Sequence, residues 1–195
     1  MTQIIQYHNF MRYFLFFILS CCVQQTLFAG TSNPCESWPK WLRSVCLRPY
    51  QTWTQGDNEL YLSGYAWHNR YYYDSDRLSR YNELAYGGGL GKSFYDEKGN
   101  WHGLAAIAFL DSHKNLEPAA GYVYLKEFHF TENARVGVGY ALFATVRPDV
   151  FRGIPVAGPL PWIGITYRRF SINGTYVPGS RNIGNVLYAL VKWVL

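Results

Sequence analysis

Charge is scarce in this chain. Asp, Glu, Lys and Arg make up 16% of its 195 residues, where soluble domains carry about a quarter, so an ordinary solvated globular surface is disfavoured. A long apolar run is also missing: YFLFFILSCCV at 13–23 falls short of the roughly 18 to 20 residues a spanning helix needs, which argues against an anchor. The five histidines, His8, His68, His102, His113 and His129, have neither the i, i+4 nor the cysteine-paired spacing of a zinc site; neither metal nor cofactor is expected. GGGLGKS at 87–93 ends like a phosphate-binding loop, but Tyr86 stands where that motif needs glycine and no helix follows. Its glycines fit bending or close approach within a strand instead.

What is present is aromatic: Phe, Trp and Tyr account for 18% of the chain, which carries a formal charge of +5 and has the length of one domain. Arg12, the apolar run and then TLFA ending at Ala29 form an export signal over residues 1–29, with a small residue placed for cleavage before Gly30. Lipoprotein processing at Cys21 within ILSC is an alternative. Removal of the signal leaves Cys35 and Cys46 in an oxidising compartment. On one straight helix they would lie about 16 Å apart, beyond disulfide reach, so pairing requires a bend between them.

Residues 30–195 are expected to form one domain, opening with a helix over about 37–53. Trp38, Trp41, Leu42, Val45, Cys46 and Pro49 repeat at helical spacing, and Lys40, Arg43 and Arg48 fall mostly on the other side. Ser37 suits an N-cap and Pro39 the first turn. A tryptophan-rich face beside a basic face is the composition of a helix lying in a membrane interface; packing on a soluble core is the alternative.

Beyond Gly56 the chain breaks into short aromatic segments between turn signals. Eight strands are expected: Tyr61–Tyr73, Leu84–Tyr95, Trp101–Leu110, Pro118–Phe130, Ala134–Val146, Pro161–Arg168, Ser171–Val177 and Asn185–Leu195. The clusters at 96–100, 131–133 and 178–180 read as hairpin turns. Segments of about 9 to 12 residues suit tilted transmembrane strands. The fold class is therefore all-β: an eight-stranded antiparallel transmembrane β-barrel over about 61–195, closed so that no edge stays unpaired in hydrocarbon. A soluble lipocalin-like barrel would carry a charged face along many strands, and these faces are apolar.

Along 101–110, His102, Leu104, Ala106, Ala108 and Leu110 alternate with Trp101, Gly103, Ala105, Ile107 and Phe109. Neither set is polar, and the last strand adds only Lys192. A polar channel is excluded on these strands, and an interior that is at least partly dry could hold an acyl chain or be filled by side chains. Asp111 and Ser112 follow the apolar run at once, at the rim, where the polar DSHKN ends the strand. His68 in YAWHNRYYYD is the natural base. A serine, an imidazole and a carboxylate at the mouth of an apolar cavity can support acyl transfer, although rim Ser and Asp are also ordinary turn residues.

The strings RYNE, GGGLG, DEKGNWHGL and AFLDS, with WHNR before them and TYVPG and GNV after, cover about Tyr61 to Asn185 and resemble the PagP family of outer-membrane lipid A palmitoyltransferases. The resemblance implies an eight-stranded barrel with an amphipathic N-terminal helix. It also implies a monomer that moves an acyl chain from a glycerophospholipid donor to a lipid A acceptor in the outer leaflet of a Gram-negative outer membrane. Carried over residue by residue, the catalytic trio falls on His68, Asp111 and Ser112. The family's prolines at one lateral opening match Pro161 and Pro178, the expected phospholipid route; those of a second opening fall on Ser63 and Ala85. The floor of the acyl pocket, a glycine in the family, is Val123 here, which predicts a preferred chain somewhat shorter than palmitate unless neighbouring small residues compensate. Arg70, Arg77, Arg80 and Lys114 are candidate contacts for lipid phosphates; a solvated loop face is the alternative. The basic balance thus points to anionic lipid and not to nucleic acid. An outer-membrane phospholipase and a noncatalytic ligand- or partner-binding barrel are the other functions left open.

Overall fold

The structure, a computed structural model, describes residues 33–146 and 155–195; the expected export signal lies outside the described residues. The chain divides into two compact units, Met1–Pro39 and Lys40–Leu195. The described part of the first is a series of turns, in which Glu36 and Trp38 donate backbone N–H groups to the carbonyls of Asn33 and Cys35. Cys35 is fully buried and disulfide-bonded.

The second unit opens with helix α1, Arg43–Gln55, followed by β1, Asp57–His68. α1 thus starts six positions after Ser37 and carries Cys46, which is also disulfide-bonded, but not Cys35. No straight helix joins the two cysteines, which removes the distance obstacle raised above. Val45, Tyr50 and Trp53 on α1 are exposed, as a helix lying in an interface requires. Its polar side is tied down instead: Arg48 pairs with Glu97 at 2.8 Å, and Lys92 Nζ donates to the Trp53 carbonyl at 2.9 Å.

A one-turn helix α2, Ser75–Leu78, precedes β2, Leu84–Tyr95. The remaining strands are β3, Trp101–Leu110; β4, Leu116–His129; β5, Ala134–Thr145; β6, Val156–Tyr167; β7, Phe170–Val177; and β8, Val186–Val194. Each pairs antiparallel with its neighbour, and β8 pairs with β1, so the sheet closes as a barrel. Short connections at 96–100, 130–133 and 168–169 share one end with Asp57 and Leu195. The connections at 69–83, 111–115 and 178–185 form the other end. On β2, a Cβ at Gly87 or Gly89 would sit 2.1 Å from a β3 carbonyl oxygen, so the glycine run permits the close approach of these strands.

Outward positions are apolar: Leu62, Leu90, Leu142, Ile165, Ile172 and Trp193 are each at least half exposed. A barrel bearing such a band fits hydrocarbon, not water. Inside, the two ends differ. Toward the loops and at mid-height, Ala85, Ala105, Ile107, Val123, Ala141, Trp162 and Leu190 form an apolar cluster joined by Phe109 and Phe143. Toward the short turns the interior is polar. Lys192 Nζ lies 2.6 Å from Glu59 Oε1 and 4.0 Å above the Trp101 ring, and the Tyr61 hydroxyl donates to Glu59 Oε2 at 2.6 Å. Glu59 and Lys192 are 0% and 4% exposed. Around them, Thr166 bonds Ser171, and Trp162 Nε1 donates to Asn173 Oδ1.

Candidate active site

The site is assembled from the loop ends of β1, β2 and β3. His68 is the last residue of β1 and points inward. β3 ends at Leu110, and the turn that follows carries Ser112. Ser112 Oγ lies 2.9 Å from His68 Nε2, a hydrogen bond across 44 residues of sequence. The imidazole is only 2% exposed. The Tyr73 ring stands edge-on to it with centroids 5.1 Å apart, and Tyr81 packs at 5.0 Å. Beside this pair a pocket of about 420 Å³ opens at the rim, walled by Ser79 to Asn82 and by Ser112, His113 and Lys114.

Asp111 is buried in the same turn, but its carboxylate faces its own segment. Oδ1 accepts the backbone N–H groups of His113 at 2.8 Å and Asn115 at 2.7 Å, and Oδ2 accepts from the Asn115 amide at 3.3 Å. Such an Asx-type turn fixes the backbone that presents Ser112. The carboxylate that meets the other face of His68 belongs to Glu83. Its Oε1 lies 3.3 Å from His68 Nδ1 and accepts the His68 backbone N–H at 3.0 Å. Arg70 grips both oxygens, at 2.6 and 2.8 Å, and the Tyr65 hydroxyl adds a bond of 2.8 Å to Oε2. The Arg70 hydrogen bonds, helped by those of His68 and Tyr65, outweigh burial and hold the Glu83 carboxyl down at about 2, from an ordinary 4.5.

Glu83 was not singled out by the sequence, although it ends the RYNE string. Its position depends on a slip in the sheet. Between Ser63 and Tyr65 the register of β1 shifts against both neighbours, so Tyr65 faces Leu84, and Glu83 arrives under His68. The adjoining Asn82 donates its N–H to the Ser112 carbonyl at 2.9 Å. Two consecutive residues therefore touch both members of the imidazole–hydroxyl pair.

The basic residues divide. The Arg70 guanidinium is engaged by Glu83 and by the His68 carbonyl. Arg80 and Lys114 line the rim pocket, and Arg77 lies exposed on α2. Among the described residues no cluster of His, Cys, Asp and Glu suits a metal ion.

Both suspected openings coincide with interrupted ladders. β6 is paired with β5 along its full length, but with β7 only from Trp162–Thr175 to Tyr167–Phe170, leaving Val156 to Pro161 outside the β7 ladder among the described residues, although the Thr175 hydroxyl donates to the Pro161 carbonyl at 2.7 Å. Pro159 and Pro161 lack an N–H for that side, and Pro178 follows directly on β7. At the second place, Gly64, Ala85 and Tyr86 stand outside the β1–β2 ladder. There Ser63 Oγ donates to the Ala85 carbonyl and accepts from the Tyr188 hydroxyl, so the sheet is interrupted without prolines. Val123 points inward at mid-height, 2% exposed, between Gly103 and Ala141 of the neighbouring strands. The space that Gly103 leaves is taken by the Trp101 indole, which a Cβ at Gly103 would meet at 2.2 Å.

A family model described as antimicrobial peptide resistance and lipid A acylation protein PagP matches residues 48–192. The lipid A acyltransferase PagP of Legionella pneumophila subsp. pneumophila is 54% identical over 166 residues, covering 83% of this chain and 87% of that protein. The lipid A acyltransferase PagP of Bordetella parapertussis is 45% identical over 185 residues, covering 95% and 98%. The backbone structure of the Yersinia pestis outer membrane protein Ail in a nanodisc aligns with a TM-score of 0.38 at 10% identity, over 72% of this chain and 99% of that one, a likeness too slight to add to the barrel itself.

Proposed function

The chain belongs to the PagP family, and on that premise we propose that this lipid A acyltransferase takes its acyl chain from a glycerophospholipid and works as a monomer in the outer leaflet of a Gram-negative outer membrane. The observation that carries the reading is the 2.9 Å contact between Ser112 Oγ and His68 Nε2 above an apolar interior. An imidazole nitrogen so placed is positioned as general base toward a hydroxyl. His68 and Ser112 are assigned the chemistry, and Asp111 the turn that presents Ser112.

The acyl chain is assigned the apolar space above Val123. That residue lies seven positions down β4 from Leu116, about 23 Å along the strand, and the polar layer around Glu59 and Lys192 lies beyond it. A hydrocarbon tail gains nothing by entering a layer of buried ions, so the floor is set by Val123, Trp101 and the charge beneath them. Donor access is assigned to the gap between β6 and β7 bounded by Pro161 and Pro178. Arg77, Arg80 and Lys114, with the free edge of Arg70, are assigned to lipid phosphates at the rim.

Mass spectrometry of lipid A from cells with and without the protein tests the reading. One added acyl chain on lipid A is expected, and its loss in Ser112→Ala and in His68→Ala, each with an intact barrel. Free fatty acid without acylated lipid A would identify a phospholipase instead, and full transfer by Ser112→Ala would remove this site from the chemistry.

A further inference from the structure

We propose that Glu83 is the positioning carboxylate of the site, acting through His68 by holding its Nδ1–H and so turning the Nε2 lone pair toward Ser112. The proposal rests on the acyl-transfer reading above and deepens it. An imidazole can accept from a hydroxyl at Nε2 only if, when neutral, it carries its proton at Nδ1. A group that accepts at Nδ1 selects that tautomer, and Glu83 Oε1 is the acceptor there, at 3.3 Å. Asp111 does not serve this purpose, because its oxygens are occupied by His113 and Asn115.

The remaining contacts of Glu83 fix where its carboxylate lies. The His68 N–H anchors Oε1 to the same residue whose ring it faces. Arg70 holds both oxygens in a fork, and Tyr65 closes the far side. With its side chain 17% exposed, the carboxylate is partly shielded from water. The distance to Nδ1 is long for a hydrogen bond, as is common in resting sites whose bonds tighten when substrate is bound.

In the proton-transfer step the Ser112 O–H bond breaks, an Nε2–H bond forms and the Nδ1–H bond stays intact. The imidazolium that results faces a carboxylate that keeps its negative charge, since Arg70 holds Glu83 far below the point of protonation. The carboxylate is thus an acceptor and a counter-charge and never takes the proton, the division of labour found where a serine, histidine and acid act together.

The test uses purified full-length mature protein in detergent micelles, with lipid A and a labelled glycerophospholipid as substrates. Glu83→Gln puts an amide beside Nδ1, whose N–H favours the opposite tautomer. The expected result is a fall in kcat on the order of 10²–10⁴-fold with the donor KM little changed. Arg70→Met removes the clamp and a phosphate contact but leaves the carboxylate. A lost phosphate contact raises the donor KM, whereas kcat is expected to fall less than about a tenth as far as in Glu83→Gln; equal falls in kcat would mark Glu83 as only half of an ion pair and overturn the proposal. ¹⁵N NMR of the His68 ring in the wild-type protein reads the tautomer directly, whether or not the variant folds. Nδ1–H is expected, and Nε2–H overturns the proposal. Near-wild-type kcat in Glu83→Gln, with Ser112→Ala and His68→Ala inactive, removes Glu83 and leaves the site standing; an active Ser112→Ala removes the site itself.

Discussion

The two ends of the barrel interior are built from the same eight strands by opposite means. At the turn end the ladders run unbroken, and a buried ion pair, Glu59 with Lys192, is enclosed by Tyr61 and Trp101. At the loop end the interior is apolar, three ladders are interrupted or slip in register, and the polar groups gather at the mouth around His68. The difference separates what holds the barrel from what it is proposed to do: the ladders are complete around the buried ion pair, and pairing is incomplete at the end assigned to lipid entry.

The division can be broken most sharply at the turn end. Lys192→Met leaves the Glu59 carboxylate buried without its ammonium partner, and removing one member of such a pair costs about 3–5 kcal/mol. Denaturant unfolding in lipid is expected to register that loss while the folded molecules still transfer acyl chains short enough to stop above the floor; a variant as stable as the wild type would show that the turn end is not the anchor. Val123→Gly tests the boundary between the halves. Deepening the floor is expected to shift preference toward longer chains by about 1–3 kcal/mol per methylene accommodated, read as relative kcat/KM over a graded acyl series. An unchanged profile would place the stop elsewhere, with Trp101 the first alternative. If the wild-type profile already peaks at sixteen carbons, the expectation of a shorter chain fails.

A smaller change sharpens the contrast at the loop end. Pro161→Ala restores an N–H facing β7, and one regained hydrogen bond stabilises by about 0.5–1.5 kcal/mol. Donor-limited transfer is expected to slow several-fold while Ser112 chemistry on bound donor is unaffected. The smallest effect is set by acid. Glu83, held at about 2 by Arg70, His68 and Tyr65 against an ordinary 4.5, has its pKa depressed on folding. Its stabilisation is therefore complete above about pH 4.5 and is lost as pH falls toward about 2. The stability advantage of the wild type over Glu83→Gln, about 1 kcal/mol or less for a rim pair, is expected to shrink across that window in denaturant titrations.

Much of this was legible in the chain. β2 and β3 lie where alternation and turn residues put them, because Gly99 and its neighbours define a hairpin without help from the rest of the fold. β1 was expected to run to Tyr73, since YYYD has strong strand propensity. It stops at His68, because Asn69 Oδ1 captures the Tyr71 N–H and turns the chain. β6 was expected to begin at Pro161, but it starts at Val156: proline weakens only the side its missing N–H would face, and β5 pairs on the other. The polar plug was missed because most strands contribute only one or two of its members, near one end, so no single strand reads as polar. The His68 and Ser112 pair was legible as a resemblance. Glu83 was not, since its reach to His68 depends on a one-residue slip at Gly64 that no local pattern announces.

The loop over 178–185 is sewn to the loop over 69–83 at several points. Asn69 donates to the Asn185 carbonyl, Asn182 to that of Tyr72, and Tyr73 to that of Gly184, while Asp74 receives Arg181 and the Asn182 amide. Tyr73 sets its ring edge-on to the imidazole, and Pro178 follows directly on the end of β7. If donor enters by the proposed gap between β6 and β7, this stitching ties the edge of that entrance to the ring that packs on His68, so widening the one would be felt at the other.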